Sequence, residues 1–299
     1  MFSGAIVAII TPFKDGKIDE QSFRDLINFQ IKGGVSGIVP CGTTGESPTL
    51  SEDEHHRVVE TAIAVGKPLG LKIIAGSGSN STHHAIELQR FAHKAGADAS
   101  LQVNPYYNKP SQEGLYRHFM AIADSCDLPI CLYNIPGRTG VTLSPETVER
   151  LAKHPNIQAI KEATGSLDSA SEIINRTGRG EHLALLSGDD SLTLPFASVG
   201  GVGVVSVVTN IEPKKISTMC TAFNRGDFAE ARRLHYELLP LSRGLLSIDT
   251  NPIPVKTAMR MLSRDSGALR LPMCEPSKAA RDAIEKLLAA AGLLKPVAV

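Results

Sequence analysis

Short apolar runs alternate along this chain with longer amphipathic stretches. Strands are predicted over residues 5–10, 37–41, 72–75, 99–103, 129–133, 157–161, 183–186 and 203–207, each run being short, rich in β-branched or small apolar residues and bounded by polar or turn-forming ones. Seven intervening segments carry helix signals. Ser51-Glu52-Asp53-Glu54 has the form of a capping box, and Ser144-Pro145-Glu146 that of an N-cap followed by proline at the first helical position. Strict alternation of β and α implies a parallel sheet. Eight such units in about 210 residues predict a (β/α)8 TIM barrel, with an open doubly wound sheet as the alternative. Beyond residue 210 the strand pattern stops. Three or four helices are expected there, punctuated by Gly226, the Asn251-Pro252-Ile253-Pro254 turn and Arg270-Leu271-Pro272. The expected organisation is therefore a barrel core over 1–210 and C-terminal helices over 211–299 that close and extend it.

Composition narrows the function classes. Lys plus Arg and Asp plus Glu both number 31, so no global field draws in nucleic acid or an anionic membrane, and small, locally recognised partners are expected. Apolar runs such as Gly203-Val204-Val205-Ser206-Val207-Val208 fall far short of the roughly 20 residues a bilayer span needs. Met1-Phe2-Ser3-Gly4 lacks the basic start of a signal peptide, which leads to the expectation of a cytoplasmic protein. The five cysteines (Cys41, Cys126, Cys131, Cys220, Cys274) are odd in number and show no Cys-x-x-Cys spacing, against a disulfide framework or zinc knuckle. Nine histidines include no His-Glu-x-x-His motif, so no metal is expected.

The most informative residue is Lys161, which ends the apolar run Ile157-Gln158-Ala159-Ile160. Period-2 alternation would place Ile157, Ala159 and Lys161 on one face, so that the amine caps an apolar surface. Desolvation there disfavours the charged form, and a free amine attacks ketones and aldehydes to form a Schiff base. The plain structural alternative is a strand-end lysine that reaches solvent or pairs with Glu162.

In such a barrel the site is built at the C-terminal ends of the strands. The unusual residues of the chain fall there: Gly42-Thr43-Thr44-Gly45-Glu46-Ser47, Asn104-Pro105-Tyr106-Tyr107-Asn108-Lys109-Pro110, Tyr133 to Gly140, Lys161, and Ser187-Gly188-Asp189-Asp190. The Gly-Thr-Thr-Gly turn offers amides and hydroxyls suited to a carboxylate. Tyr133 shares a strand face with Cys131, which could point its phenol towards Lys161. Arg138, between glycine and threonine, is either a loop closure or a carboxylate clamp. Gly200-Gly201-Val202-Gly203 precedes a strand rather than opening a helix, unlike a phosphate cradle. Asp189-Asp190 is read as a pair of loop acceptors and helix cap rather than a metal site.

Together Gly42-Thr43-Thr44-Gly45-Glu46, Tyr133-Asn134-Ile135-Pro136-Gly137-Arg138-Thr139-Gly140 and Ile160-Lys161-Glu162-Ala163 resemble the pyruvate-dependent Schiff-base lyases related to N-acetylneuraminate lyase, and within them the dihydrodipicolinate synthase family. The likeness runs from Gly4-Ala5-Ile6-Val7-Ala8-Ile9-Ile10-Thr11-Pro12 to Asn251-Pro252-Ile253-Pro254-Val255-Lys256. Arg138 and the Tyr106-Tyr107-Asn108-Lys109-Pro110 run mark the synthase branch. The resemblance implies that Lys161 forms the imine with pyruvate. It implies a proton relay of Thr43, Tyr133 and Tyr107, with Tyr107 supplied by a neighbouring subunit. Thr44, Gly188 and the backbone at Val205 would hold substrate; position 205 is often isoleucine in the family. Arg138 would bind the carboxylate of L-aspartate 4-semialdehyde, the aldehyde that pyruvate meets. No cofactor is implied, and a homotetramer built from two tight dimers is.

Lysine-inhibited relatives bind that amino acid through positions matching Ser47, Pro48, His55, Asn80, His84 and Tyr106. Strongly inhibited members carry glutamate at the position of His84, so weak inhibition by lysine, or none, is expected here. Two rivals stand beside this reading. One is another aldolase of the superfamily, acting on a sialic acid, a 2-keto-3-deoxy sugar acid or a hydroxyproline-derived keto acid, and having no use for Arg138. The other is a catalytically silent barrel that binds a metabolite.

Overall fold

The computed structural model describes residues 2–178 and 180–294. Eight short strands form the predicted closed barrel: β1 (Gly4–Ala8), β2 (Gly37–Val39), β3 (Lys72–Gly76), β4 (Ala99–Val103), β5 (Ile130–Asn134), β6 (Ile157–Glu162), β7 (Ala184–Ser187) and β8 (Gly203–Ser206). Each pairs in parallel with its sequence neighbours, and β8 closes on β1 through Gly4↔Gly203 to Val7↔Ser206.

Alternation along the strands sorts their side chains into two layers. All eight strands contribute to one apolar cluster, which includes Ile6, Val39, Ile74, Leu101, Cys131, Ala159, Leu186 and Val205 and therefore fills the barrel interior. Residues of opposite parity, such as Ala5, Val7 and Ile73, or Leu132 and Ile160, pack outward against the helices.

The strand carrying Lys161 departs from simple alternation. Ile130 faces Ile157 but Cys131 faces Ala159, so Gln158 is an extra residue in β6. Ile157 consequently joins the outer layer with Ile160, while Ala159 and Lys161 keep the inward face. The predicted shared face of Ile157, Ala159 and Lys161 is thus corrected at Ile157.

Helix starts follow their sequence signals. Ser51 and Glu54 make the reciprocal capping box of Glu52–Gly66, and Ser144 caps Pro145–Leu151. A two-stranded hairpin, Phe13–Lys14 with Lys17–Ile18, turns at Asp15 and Gly16, both at positive φ. Among the described residues β8 is followed by four α-helices, Pro213–Asn224, Phe228–Ser247, Ile253–Met261 and Lys278–Ala290. Ile216 and Met219 of the first share a core with Ala5 and Val7 of β1. Among the described residues no helix is long and apolar enough to cross a membrane.

Candidate active site

β5 and β6 run in register with Tyr133 opposite Lys161 and Asn134 opposite Glu162. Both pairs are buried, on opposite faces. Inside the barrel the Lys161 Nζ lies 4.1 Å from the centre of the Tyr133 ring. On the outer face Glu162 accepts from Asn134 Nδ2 at 2.9 Å and from the Thr164 amide at 2.6 Å. Glu162 is therefore turned away from Lys161, and no carboxylate pairs with this lysine among the described residues. Burial pushes the Glu162 carboxyl above its usual range, opposed by the bonds from Thr164 and Asn134. Asn134 also takes the Leu143 amide at 3.0 Å and gives to the Leu143 carbonyl at 3.1 Å, tying the end of β5 to the loop that carries Arg138.

The loop after β2 departs from the strand at Cys41, whose φ is 55°. It folds on itself through Gly45 N to Gly42 O at 3.1 Å. The Thr44 hydroxyl accepts from Asn251 Nδ2 at 3.0 Å, and the Asn251 carbonyl accepts from Arg138 Nη2 at 3.0 Å. Asn251 thus links two expected substrate-binding residues that lie far apart in sequence, and its own Oδ1 is buried without a protein donor. Arg138 also lines the cleft formed between these loops.

That cleft measures about 460 Å³. It brings Thr43 and Arg138 together with Ser47, Pro48, His55, His84 and Tyr106. Asn80 joins the same wall by giving Nδ2 to the Tyr106 carbonyl at 3.2 Å. Lys161, Tyr133, Thr44, Gly188 and Val205 lie in the barrel beside this cleft and are not among its lining residues, and Tyr107 is placed differently again. It is 91% exposed, at a positive φ of 73°, and does not line the cleft.

Gly188 follows β7, and its amide gives to the Glu162 carbonyl at 2.7 Å. A Cβ there would stand 2.6 Å from Ala163 Cβ, so only glycine lets the ends of β6 and β7 approach. Gly203 has a comparable role in closure, since its Cβ would meet the Gly4 carbonyl at 2.2 Å. Asp189 caps the next turn by accepting from the Ser191 amide at 2.8 Å. Asp190 accepts from the Ser206 hydroxyl at the end of β8. Val205 is buried in the barrel interior. Among the described residues no cluster of three or more His, Cys, Asp or Glu is arranged to hold a metal ion.

Glu46, Lys256 and Asn251 are tied into the site without standing out in the sequence. Glu46 and Lys256 form a fully buried ion pair at 2.7 Å, the ammonium also giving to the Thr11 carbonyl at 2.8 Å. The second Glu46 oxygen accepts from the Arg270 amide at 3.1 Å. The available signals were the ending of the Gly-Thr-Thr-Gly turn in a carboxylate and an asparagine set before Pro252.

Comparison with known proteins agrees with this geometry. Residues 1–291 match the Dihydrodipicolinate synthetase family. The chain is 50% identical over 295 residues to the 4-hydroxy-tetrahydrodipicolinate synthase of Thermodesulfovibrio yellowstonii, spanning 99% of this chain and 100% of that one. The crystal structure of dihydrodipicolinate synthase from Aquifex aeolicus matches with a TM-score of 0.94 at 46% identity, covering 98% of this chain and 99% of that one. The enzyme from Cyanidioschyzon merolae with lysine bound matches with a TM-score of 0.94 at 42% identity, over 98% and 99% of the two chains. With its closed barrel, its buried lysine beside Tyr133 and a family match over nearly its whole length, the chain belongs to the dihydrodipicolinate synthase family.

Proposed function

We propose that the protein condenses pyruvate with L-aspartate 4-semialdehyde through an imine on Lys161, giving the cyclic precursor of diaminopimelate and lysine. The observation that carries this reading is a buried lysine amine with no carboxylate partner among the described residues, held at 4.1 Å over Tyr133 at the mouth of the barrel. An amine so placed can attack the pyruvate ketone. Loss of water from the carbinolamine needs protons moved at one oxygen, work suited to the Tyr133 phenol and the Thr43 hydroxyl. The iminium then serves as electron sink, the pyruvate methyl loses a proton, and the enamine carbon attacks the aldehyde. The amino group of the condensed chain closes on the imine carbon and releases Lys161.

Thr44, Gly188 and the Val205 backbone would hold pyruvate, and Arg138 the carboxylate of the aldehyde. The bond from Arg138 to the Asn251 carbonyl supports that role by fixing one side of the guanidinium. The exposed Tyr107 supports a shared site, completed when a second copy inserts this phenol, within a tetramer of two tight dimers. The wall formed by Ser47, Pro48, His55, Asn80, His84 and Tyr106 is the candidate lysine site. Here His84 lies 3.4 Å from Glu87 and supplies no carboxylate of its own. The test is turnover with pyruvate and a panel of aldehydes. Aspartate semialdehyde should be preferred, whereas a preference for sugar aldehydes would favour the rival aldolases.

A further inference from the structure

The β7–β8 ladder stops at Ser187↔Val204, whereas β8 continues beside β1 as far as Val7↔Ser206. Beyond Val204, β8 therefore has a strand neighbour on one side only. On the other side the side chain of Asp190, from the turn after β7, stands in for the missing strand. Its carboxylate accepts from the Ser206 hydroxyl, from the Val207 amide at 2.9 Å and from the Val208 amide at 3.2 Å. The Ser206 oxygen in turn accepts from the Thr209 amide at 2.9 Å. Asn210 then returns the segment to β1, giving Nδ2 to the Ala8 carbonyl at 2.9 Å and taking the Ile10 amide at 3.2 Å. The residue immediately before this knot is Val205.

A buried carboxylate with no cation beside it among the described residues is an expensive way to tie down a strand end. Asp190 is buried, and the titratable groups facing it are Asp189 and, from helix Pro213–Asn224, Cys220. Burial pushes its carboxyl up to about 6, against the opposing bonds from Ser206, Val207 and Val208. Breaches of this kind of local rule concentrate at functional sites.

We propose that Asp190 is a positioning residue for pyruvate, fixing the Ser206–Val208 backbone and thereby aiming the main chain of Val205 at the substrate bound on Lys161. The proposal rests on the roles of Lys161 and Val205 given under the proposed function.

The test is borohydride trapping of the pyruvate imine across a range of pyruvate concentrations, in the full chain and in Asp190→Ala and Asp190→Asn. The asparagine keeps an oxygen for the Val207 and Val208 amides; the alanine keeps none. Half-saturating pyruvate should rise roughly tenfold or more in Asp190→Ala, the equivalent of one charge-assisted hydrogen bond, and distinctly less in Asp190→Asn. The KM for the aldehyde should stay within about twofold, well below a one-bond effect. Absence of trapping in the unmodified protein would refute the imine reading itself, whatever the variants do. Trapping in the unmodified protein together with unchanged half-saturation in a folded Asp190→Ala would overturn the positioning role alone. So would an equal loss towards pyruvate and aldehyde. If Asp190→Ala does not fold, Ser206→Ala and Asp190→Asn decide: a pyruvate-selective shift supports the proposal, and its absence overturns it.

Discussion

The buried pair of Glu46 and Lys256 fastens the Thr43–Thr44 loop to the helix that follows Asn251. Lys256→Met keeps most of the side-chain volume and removes the charge. The variant loses the 2.7 Å bond to Glu46 and the 2.8 Å bond to the Thr11 carbonyl, leaving the Glu46 carboxylate buried with the Arg270 amide as its remaining donor. An uncompensated buried charge costs about 3–5 kcal/mol. At about 2 °C per kcal/mol for a chain of this size, the melting temperature should fall by roughly 6–10 °C at fixed protein concentration. The double variant Glu46→Gln/Lys256→Met removes both charges, and the amide oxygen can still accept from the Arg270 amide. It should recover most of the loss, since replacing a whole buried pair is often neutral. Thermal melts of the two single variants and the double variant form the cycle. A Lys256→Met melt within about 2 °C of the unmodified protein, about 1 kcal/mol or less, would refute the reasoning, as would strictly additive losses in the double variant.

Asp190 gives a pH prediction with a definite sign. Its folded value of about 6 lies above the ordinary 3.8, so its contribution to stability is full below about 4 and is lost as pH rises through 6. The fall in melting temperature across that window should flatten in Asp190→Asn, and parallel curves would contradict it. Arg138→Ala should lose about 2–5 kcal/mol in kcat/KM for aspartate semialdehyde while pyruvate imine formation survives; an unchanged rate would point to another aldolase. His84→Glu should tighten inhibition by L-lysine roughly 30-fold or more by placing a carboxylate at position 84 of the cleft wall, in addition to that of Glu52, and titration of activity against lysine checks it.

All eight barrel strands were legible because each is a short apolar run buried on both faces, and the polar residues that follow these runs mark the mouth. Their ends were less so. The predicted strand over 37–41 stops at Val39, since Pro40 has no N–H for a ladder and Cys41 turns to positive φ. The one over 5–10 stops at Ala8, where the Ile10 amide turns to Asn210 instead of a strand. The hairpin at Asp15-Gly16 has two-residue strands, too short to show any period. The extra residue at Gln158 leaves no trace in composition, yet it decides which way Ile157 faces. In the candidate site, Lys161, Tyr133, Thr43 and Arg138 stood out as polar residues at or just beyond strand ends. The ties that hold them did not: Asn251 to Thr44 and Lys256 to Glu46 each span more than 200 positions, and a single sequence carries no record of who meets whom.

Lys161 is expected to be the nucleophile. Incubation with pyruvate and borohydride, followed by peptide mapping, should place one reduced pyruvyl group on the peptide containing Lys161 and abolish turnover in proportion. An adduct on Lys109, Lys256 or any other lysine, or no adduct in protein that remains active, would contradict it.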